Sequence, residues 1–103
     1  MQLLTEEIKK TLPALYSQEE VADPLAVVKF FTPDSSWTWY IIEGSQQEDG
    51  EDWMFFCRAV SHLCPEGELG NVMLSELEQV KGALGLSVER DLYWTPKPIS
   101  QCK

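Results

Sequence analysis

The residues that come closest to a metal or nucleophile site in this chain are Cys57, His62 and Cys64. Zinc sites prefer cysteines two residues apart, whereas these follow the pattern C-x4-H-x-C with no fourth ligand nearby. On an unbroken strand Cys57 points away from the other two, because successive side chains alternate between faces. The spacing allows a nucleophilic Cys64–His62 pair, but no third group that would orient the imidazole is identifiable. We predict buried or incidental thiols, and we assign no metal ligand, no cofactor and no catalytic residue.

A second arrangement with potential chemistry is the pair of acids Glu89 and Asp91. On a strand both carboxylates point the same way, as a glycosidase-type pair requires. Ion pairs with Lys29 or Arg58 are the commoner use of such residues. A small hydrolase, built on the thiol–imidazole pair or on these two acids, is kept as an alternative function.

Segment 44–52 is rich in acids and carries no base. Its alignment with a calcium-binding EF-hand loop fails, because Phe56 stands where that loop needs a bidentate glutamate. The segment is too polar to be buried, so we predict a solvated acidic loop. With the acid just before it, this loop supplies the predicted acidic partner-binding residues. They are Glu43, Glu48, Asp49, Glu51 and Asp52.

Aromatic side chains are concentrated on two predicted strands, 37–43 and 53–62. Neither strand alternates cleanly between apolar and polar residues, which is typical of strands covered on both faces. A core of large side chains is the favoured explanation, and a stacking platform for a peptide or for bases is the functional one. Single-stranded nucleic-acid binding is kept as an alternative, although it needs interleaved cations and only Lys29 and Arg58 are near. The predicted aromatic partner-binding residues are Trp37, Trp39 and Trp53.

The elements that position these residues follow the order α-β-β-β-β-α-β, which implies an α+β fold. Thr5 is a good helix N-cap, and Ser75 with Glu78 matches a capping box for a second helix that ends at Gly82 or Gly85. We predict a four- to five-stranded, mainly antiparallel sheet with two short helices on one face. The predicted strands are 25–32, 37–43, 53–62, 69–74 and 88–94.

Two short helices can cover only one face of such a sheet. The C-terminal tail, a second copy of the chain in a homodimer, or a partner would have to cover the other. Pro96 and Pro98 keep the tail out of a sheet interior. We therefore predict a flexible tail over about 96–103, with Cys102 mobile.

The length of 103 residues suits a single domain, 1–103. Seventeen Asp and Glu against eight Lys and Arg give a formal net charge of −9, which disfavours nucleic acid and anionic membranes and favours basic partners. No apolar stretch is long enough to span a membrane and the first residues lack signal-peptide features, so we expect a cytoplasmic protein. Three irregularly spaced cysteines do not form a disulfide framework, so we expect reduced thiols.

Several segments together resemble one protein family, and the most specific are Trp37-Thr38-Trp39-Tyr40 and Glu89-Arg90-Asp91-Leu92. The other segments, in chain order, are Leu3-Leu4-Thr5, Ala22-Asp23-Pro24, Lys29-Phe30-Phe31-Thr32-Pro33, Leu74-Ser75-Glu76-Leu77-Glu78, Gly85-Leu86 and Pro96. This order resembles the bacterial domain of unknown function 2958 family over nearly the whole chain. The resemblance implies a small acidic accessory protein of plasmids, phages and integrative elements, and it supplies no activity, cofactor or catalytic residue. Residues 61–68, which include His62 and Cys64, depart from the usual family pattern.

Our leading hypothesis is a non-enzymatic module that binds a protein with a basic surface through the acidic loop and the adjacent aromatic residues. On a mobile element, such a module would inhibit host defence, for example a nuclease or CRISPR effector, by mimicking nucleic acid. An acidic composition that serves only solubility explains the net charge equally well.

Overall fold

A computed structural model describes residues 2–48, 50 and 52–102 of this protein. The described residues form two short α-helices, seven β-strands and one 3₁₀ helix. In chain order these are α1 Glu6–Thr11, β1 Leu25–Ala26, β2 Val28–Phe31, β3 Thr38–Gln46, β4 Trp53–Ser61, β5 Cys64–Met73, α2 Leu74–Gln79, β6 Glu89–Arg90, β7 Lys97–Pro98 and a 3₁₀ helix, Ile99–Gln101.

Five of the strands make one antiparallel sheet in the order β5–β4–β3–β2–β6, and β1 pairs with β7 in a second, two-stranded sheet. The predicted α+β class, the number of strands in the main sheet and its antiparallel pairing are confirmed. The first face of the sheet is the one that packs against both helices. The second face is opposite.

The core of the first face is built from large side chains of the central strands. Phe30, Ile41 and Phe55 are fully buried there, and the rings of Phe30 and Phe55 meet edge to face with centroids 5.9 Å apart. Ile8 of α1 and Leu77 of α2 pack on the same cluster. Each such side chain contributes roughly 1.5–3 kcal/mol when it leaves water, so this face supplies most of the apolar burial.

The start of α1 agrees with the prediction. The Thr5 hydroxyl accepts the Ile8 N–H at 3.2 Å, which satisfies one of the free donors in the first turn. Acids in the first turn and lysines in the last turn complement the helix dipole.

The predicted boundaries of α2 are wrong. The helix begins at Leu74, and the Glu76 carboxylate accepts the Met73 N–H at 3.0 Å. Ser75 lies inside the first turn and bonds to Asp52 of the β3–β4 loop, a partner that lies far away in sequence. The helix ends at Gln79, before either glycine that was expected to end it.

The predicted strand limits change where pairing depends on distant segments. Strand 25–32 is divided, because Leu25–Ala26 pairs with Lys97–Pro98 outside the main sheet. The first long strand continues through Gln46, so the acidic loop is shorter than 44–52. The last strand of the main sheet pairs at two residues only, Glu89–Arg90.

The C-terminal tail is packed, in contrast to the predicted flexible tail. Lys97–Pro98 pairs with β1, and Cys102 is buried against Ala26 and Tyr40 on the second face. Arg58 Nη1 donates to the carbonyls of Ile99 and Cys102, each at 3.3 Å. Proline excludes the tail from the interior of the main sheet but not from a two-residue edge pair. The tail is therefore one of the segments that cover the second face.

Candidate functional site

A β-bulge in β3 places two neighbouring residues on the second face. Ile41 pairs with Cys57 and Glu43 pairs with Phe56, so Ile42 is an extra residue between two regular pairs. Both Ile42 and Glu43 then lie on the side away from the helices, and the strand resumes with Gly44 turned to the first face against Phe55. Bulges commonly redirect side chains in this way next to functional sites.

A groove with a volume of about 480 Å³ lies above this bulge, between segment 14–22 and the 3₁₀ helix. Most of its lining is apolar. We call it the second-face groove and define it by six residues. These are Tyr16, Val21, Ile42, Phe56, Leu69 and Ile99.

Glu43 supports one wall of the second-face groove from below. Its side chain is 3% exposed, and its two oxygens accept the Tyr16 N–H at 2.9 Å and the Gln18 N–H at 2.7 Å. Hydrogen bonds from main-chain N–H groups to a carboxylate are stronger than neutral ones. Glu43 was predicted to be an exposed partner-binding acid, and that prediction is wrong because the bulge turns it beneath segment 14–22.

Tyr16 adopts a left-handed backbone conformation, with φ of 70°. A non-glycine residue in this region is strained by about 1–2 kcal/mol. The Glu43 bond to the Tyr16 N–H helps to hold this conformation, while the Tyr16 side chain is 67% exposed at the rim of the groove. Strain of this kind is often retained where a side chain must be presented.

Leu69 forms the opposite rim of the groove, on β5. Its side chain is 63% exposed, and β5 is an edge strand of the sheet. Val21 and Leu25 are also exposed, and Val21 lines the groove. The rims thus expose several large apolar side chains on a chain with a net charge of −9.

Three of the predicted acidic residues are described by the structure, and only one of them, Glu48, is exposed. Asp49 and Glu51 lie outside the described residues. Asp52 accepts the Ser75 hydroxyl at 2.5 Å and the Ser75 N–H at 3.1 Å, and it also accepts the Trp53 N–H. The Ser75 hydroxyl bond is the main cause that lowers the pKa of Asp52 below its usual value. Asp52 therefore fastens the loop to α2.

The predicted aromatic residues do not form a joint platform. Trp39 is 8% exposed and belongs to the first-face core, so its assignment to a binding surface is wrong. Trp37 is 37% exposed and stacks on Trp39, with centroids 5.9 Å apart and planes at 13°. Trp53 packs against the first-face core, with Lys9 Nζ 5.8 Å from its ring. A base would find one indole face at Trp37 rather than a row of rings.

Cys57, His62 and Cys64 are not brought together at one site. Cys57 lies in the first-face core, where burial raises its pKa to about 12. His62 lies in the β4–β5 turn, and its Nδ1 is 2.6 Å from the hydroxyl of Ser36 in the β2–β3 turn. The Ser36 hydroxyl also accepts the His62 N–H, so it links the two turns. In the described part of the chain, no three His, Cys, Asp or Glu residues are arranged to hold a metal ion.

Asp91 forms an ion pair, as the sequence led us to expect of this acid. Its Oδ2 is 3.9 Å from Lys29 Nζ, and its Oδ1 accepts the Tyr93 N–H at 2.9 Å. Arg58, the other cation considered for this network, instead donates to the carbonyls of Glu66 and of the tail.

The second-face groove was not predicted from the sequence. Its residues come from segment 14–22, three strands and the 3₁₀ helix, and they share no local periodicity. The adjacent Ile42 and Glu43 break the alternation of β3, which is the one local signal that a bulge is present. The sequence alone does not show where the displaced carboxylate finds its donors.

Across the described residues, the helices are too short and too polar to cross a membrane. Residues 3–102 match the sequence model of a family described as "Protein of unknown function (DUF2958)". No curated protein and no solved structure shows significant similarity to the chain.

Proposed function

The chain belongs to the DUF2958 family, and we propose that it is a non-enzymatic, cytoplasmic module that binds another protein through the second-face groove. The observation that carries this proposal is an apolar groove of about 480 Å³ on a strongly acidic chain. Exposed apolar surface of this kind, rimmed by polar groups, is typical of an interaction site.

The charges around the groove favour a basic partner. Segment 14–22 and strand β5 contain no Lys or Arg. Glu19 lines the groove, and both Glu19 and the following Glu20 are exposed. Glu66 and Glu68 of β5 are exposed as well, and Glu68 points to the face opposite Leu69. A partner that places an apolar side chain in the groove and cations at its rims would gain burial and charge complementarity together.

The contacts of the candidate catalytic groups give less support to the hydrolase alternative. His62 of the Cys64–His62 pair is bonded to the Ser36 hydroxyl through its Nδ1 and its main-chain N–H, and Asp91 is engaged by Lys29 and the Tyr93 N–H. Stacking of bases along the predicted aromatic strands is likewise poorly supported, because Trp39 is enclosed. Binding of a protein is the function that the geometry supports best.

Comparison of two matched variants tests the proposal. Leu69→Glu places a charge at the rim of the groove, and Leu84→Glu places one at a more exposed leucine in loop 82–86. Nuclease-treated lysate of the native host is passed over each immobilised protein, and captured proteins are purified and titrated directly. We expect binding to wild type and Leu84→Glu, and binding about tenfold weaker to Leu69→Glu. Equal binding to all three proteins would contradict the proposed site.

A narrower form of the proposal concerns the identity of the partner. We propose that it is a component of host defence with a basic nucleic-acid channel, such as a nuclease or CRISPR effector, which the acidic surface enters as a nucleic-acid mimic. Its support is the net charge and the resemblance to proteins of mobile elements. Purified effectors should lose activity when the protein is added, and raised salt should restore it steeply. Inhibition that does not respond to salt would argue against mimicry.

A further inference from the structure

Strand β5 is an open edge directly beside the second-face groove. It is the first strand in the order of the main sheet, and its ten residues from Cys64 to Met73 have β4 as their neighbouring strand. Among the described residues, the main chain of 68–72 is hydrogen-bonded to β4 and to no other segment. Its outward N–H and C=O groups are therefore available to another strand.

The sequence of this edge changes along its length. Natural edge strands are usually blocked by prolines, charges, bulges or short length. In β5, Pro65 and two glutamates occupy the first half, and the pairing with β4 is irregular there. Residues 69–73 read Leu-Gly-Asn-Val-Met, with no proline and no charge, and they pair regularly with β4. The second half of the edge is unprotected.

The same half of β5 contributes to the groove. Leu69 and Asn71 both line it, because alternate residues of a strand share one face. A strand added beside β5 would place its own alternate side chains on that face, next to the groove. Hydrogen bonds along the edge and a side-chain site beside it are the two parts of peptide recognition by strand addition.

We propose that an extended, basic segment of the partner adds to β5 as a sixth strand and places an apolar side chain in the second-face groove. This inference rests on the proposed function and specifies its mode of binding. Lys or Arg residues next to the apolar one would point to the first face, beside Glu68 of β5, and a cation two residues away would share the groove face with Glu19.

The charges of β5 favour a basic segment over a second copy of this chain. In an antiparallel pair of β5 strands, Glu66 and Glu68 of one copy would face an edge that carries no Lys or Arg. Each copy also has a net charge of −9, so the two surfaces repel each other.

Synthetic peptides of about ten residues, long enough to form a typical strand, test the proposal. One set alternates apolar residues with Lys or Arg, and a matched set has Glu in place of each cation. The tightest binder is also made with N-methyl groups on alternate residues, which block main-chain pairing and leave the side chains unchanged. Affinities are measured by titration, and amide hydrogen exchange of residues 68–72 is followed in the free and bound protein.

We expect the basic set to bind at least about tenfold more tightly than the acidic set at low salt. We also expect the exchange of alternate amides within 68–72 to slow when the peptide binds. N-methylation of the peptide, or Leu69→Glu in the protein, should weaken binding by about tenfold or more, whereas Leu84→Glu should leave the affinity unchanged. Unchanged exchange on binding, or undiminished binding of the N-methylated peptide, would overturn strand addition and leave a groove-binding partner intact. If exchange of the same amides also slows when the concentration of the free protein is raised, without peptide, a second copy of the chain is the occupant. That result would overturn the proposal. If a partner is captured through the groove but no peptide of the basic set binds, strand addition is again excluded.

Discussion

At the scale of single residues, Glu43 shows how one side chain can shape a site without facing solvent. The bulge moves it to the second face, and its carboxylate accepts two main-chain donors from the wall of the groove. A buried carboxylate in this position is stabilised by hydrogen bonds rather than by a cation. The shape of the groove therefore depends on a residue that a partner would hardly contact.

We expect Glu43→Ala to lower the free energy of unfolding by about 2 kcal/mol, because two main-chain donors lose a charged acceptor. Glu43→Gln keeps one acceptor oxygen and should be intermediate. Urea denaturation at neutral pH measures both. Glu48→Ala, at an exposed position in the β3–β4 loop, is the control and should change stability by less than about 0.5 kcal/mol. Equal effects at positions 43 and 48 would show that the Glu43 bonds are not stabilising.

The three thiols should differ in reactivity with iodoacetamide. Cys57 and Cys102 are buried, and burial raises the pKa of both, to about 12 for Cys57. At pH 8 a thiol with that pKa has roughly a thousandfold less thiolate than an ordinary cysteine. In the folded protein we expect Cys64 to be labelled first, and in urea all three. Mass spectrometry of labelled peptides gives the order, and rapid native labelling of Cys57 would contradict the packing.

At the scale of elements, carboxylates join loops to distant segments. Asp52 connects the β3–β4 loop to Ser75 of α2. Asp34, in the β2–β3 turn, accepts the N–H groups of Leu84 at 2.7 Å and Leu86 at 3.2 Å, which closes loop 82–86 against the sheet. Such bonds cannot be read from helix propensity, and the Asp52 bonds show Ser75 engaged by a distant carboxylate rather than acting as the predicted N-cap.

The Asp52 contact predicts a pH dependence of stability. Since the folded state lowers the pKa of Asp52, this residue stabilises the fold above its unfolded pKa of about 3.9. The contribution is lost as the pH falls through the lower, folded pKa. Asp52→Asn should therefore be less stable than wild type at pH 7, and the gap should narrow in acid. Urea denaturation midpoints from pH 7 down into acid measure this difference in stability, with Glu48→Gln as control. A difference that does not change with pH would contradict the stabilising role of the Asp52 carboxylate.

Gly82 is predicted to tolerate no side chain. A Cβ at this position would lie 1.5 Å from Asp34 Oδ1, so the loop or the turn must move. We expect Gly82→Ala to be destabilising by about 1–3 kcal/mol, as overpacked sites usually are. Gly70→Ala, where a Cβ meets nothing within 4 Å, is the matched control.

The double variant Asp34→Ala with Gly82→Ala separates the clash from other effects. If the clash with Asp34 is the cause, the double variant should lose less free energy of unfolding than the sum of the losses in Asp34→Ala and Gly82→Ala. Additive losses, measured by urea denaturation, would place the cause elsewhere in loop 82–86.

At the scale of the whole molecule, the two faces of the sheet are covered by different means. The helices and residues such as Leu3 and Val88 enclose the first face in one apolar cluster. The second face is covered in part by β1 and the tail, which Arg58 holds through main-chain carbonyls. Segment 14–22 also covers this face over Glu43, and the groove beside it is bordered by the open edge of β5.

Loss of the Arg58 guanidinium should release the tail before the rest of the fold. We expect Arg58→Ala to lower the free energy of unfolding by about 1–3 kcal/mol, because several carbonyls lose a charged donor. The labelling rate of Cys102 should rise more than that of Cys57, and Arg58→Lys should lie between the variant and wild type. Equal acceleration at both cysteines would indicate global destabilisation instead.

The sequence was sufficient for the features that depend on neighbouring residues. The N-cap at Thr5, the α+β class and the antiparallel main sheet follow from local hydrogen bonding and from the order of the elements along the chain. The net charge could also be counted from the sequence, because it does not depend on the folded structure. The family match over residues 3–102 agrees with segments that the sequence already showed.

The tertiary structure decided everything that depends on contacts between segments far apart in the chain. The bulge at Ile42, the burial of Glu43 and the packing of the tail each require a partner more than ten residues away. Helix and strand propensities carry little information about such contacts, because the contacts stabilise the chain only once the sheet has formed. For that reason Glu43, Asp52 and Trp39, which the sequence placed on a binding surface, are parts of the framework, and the groove lies where no motif had marked it.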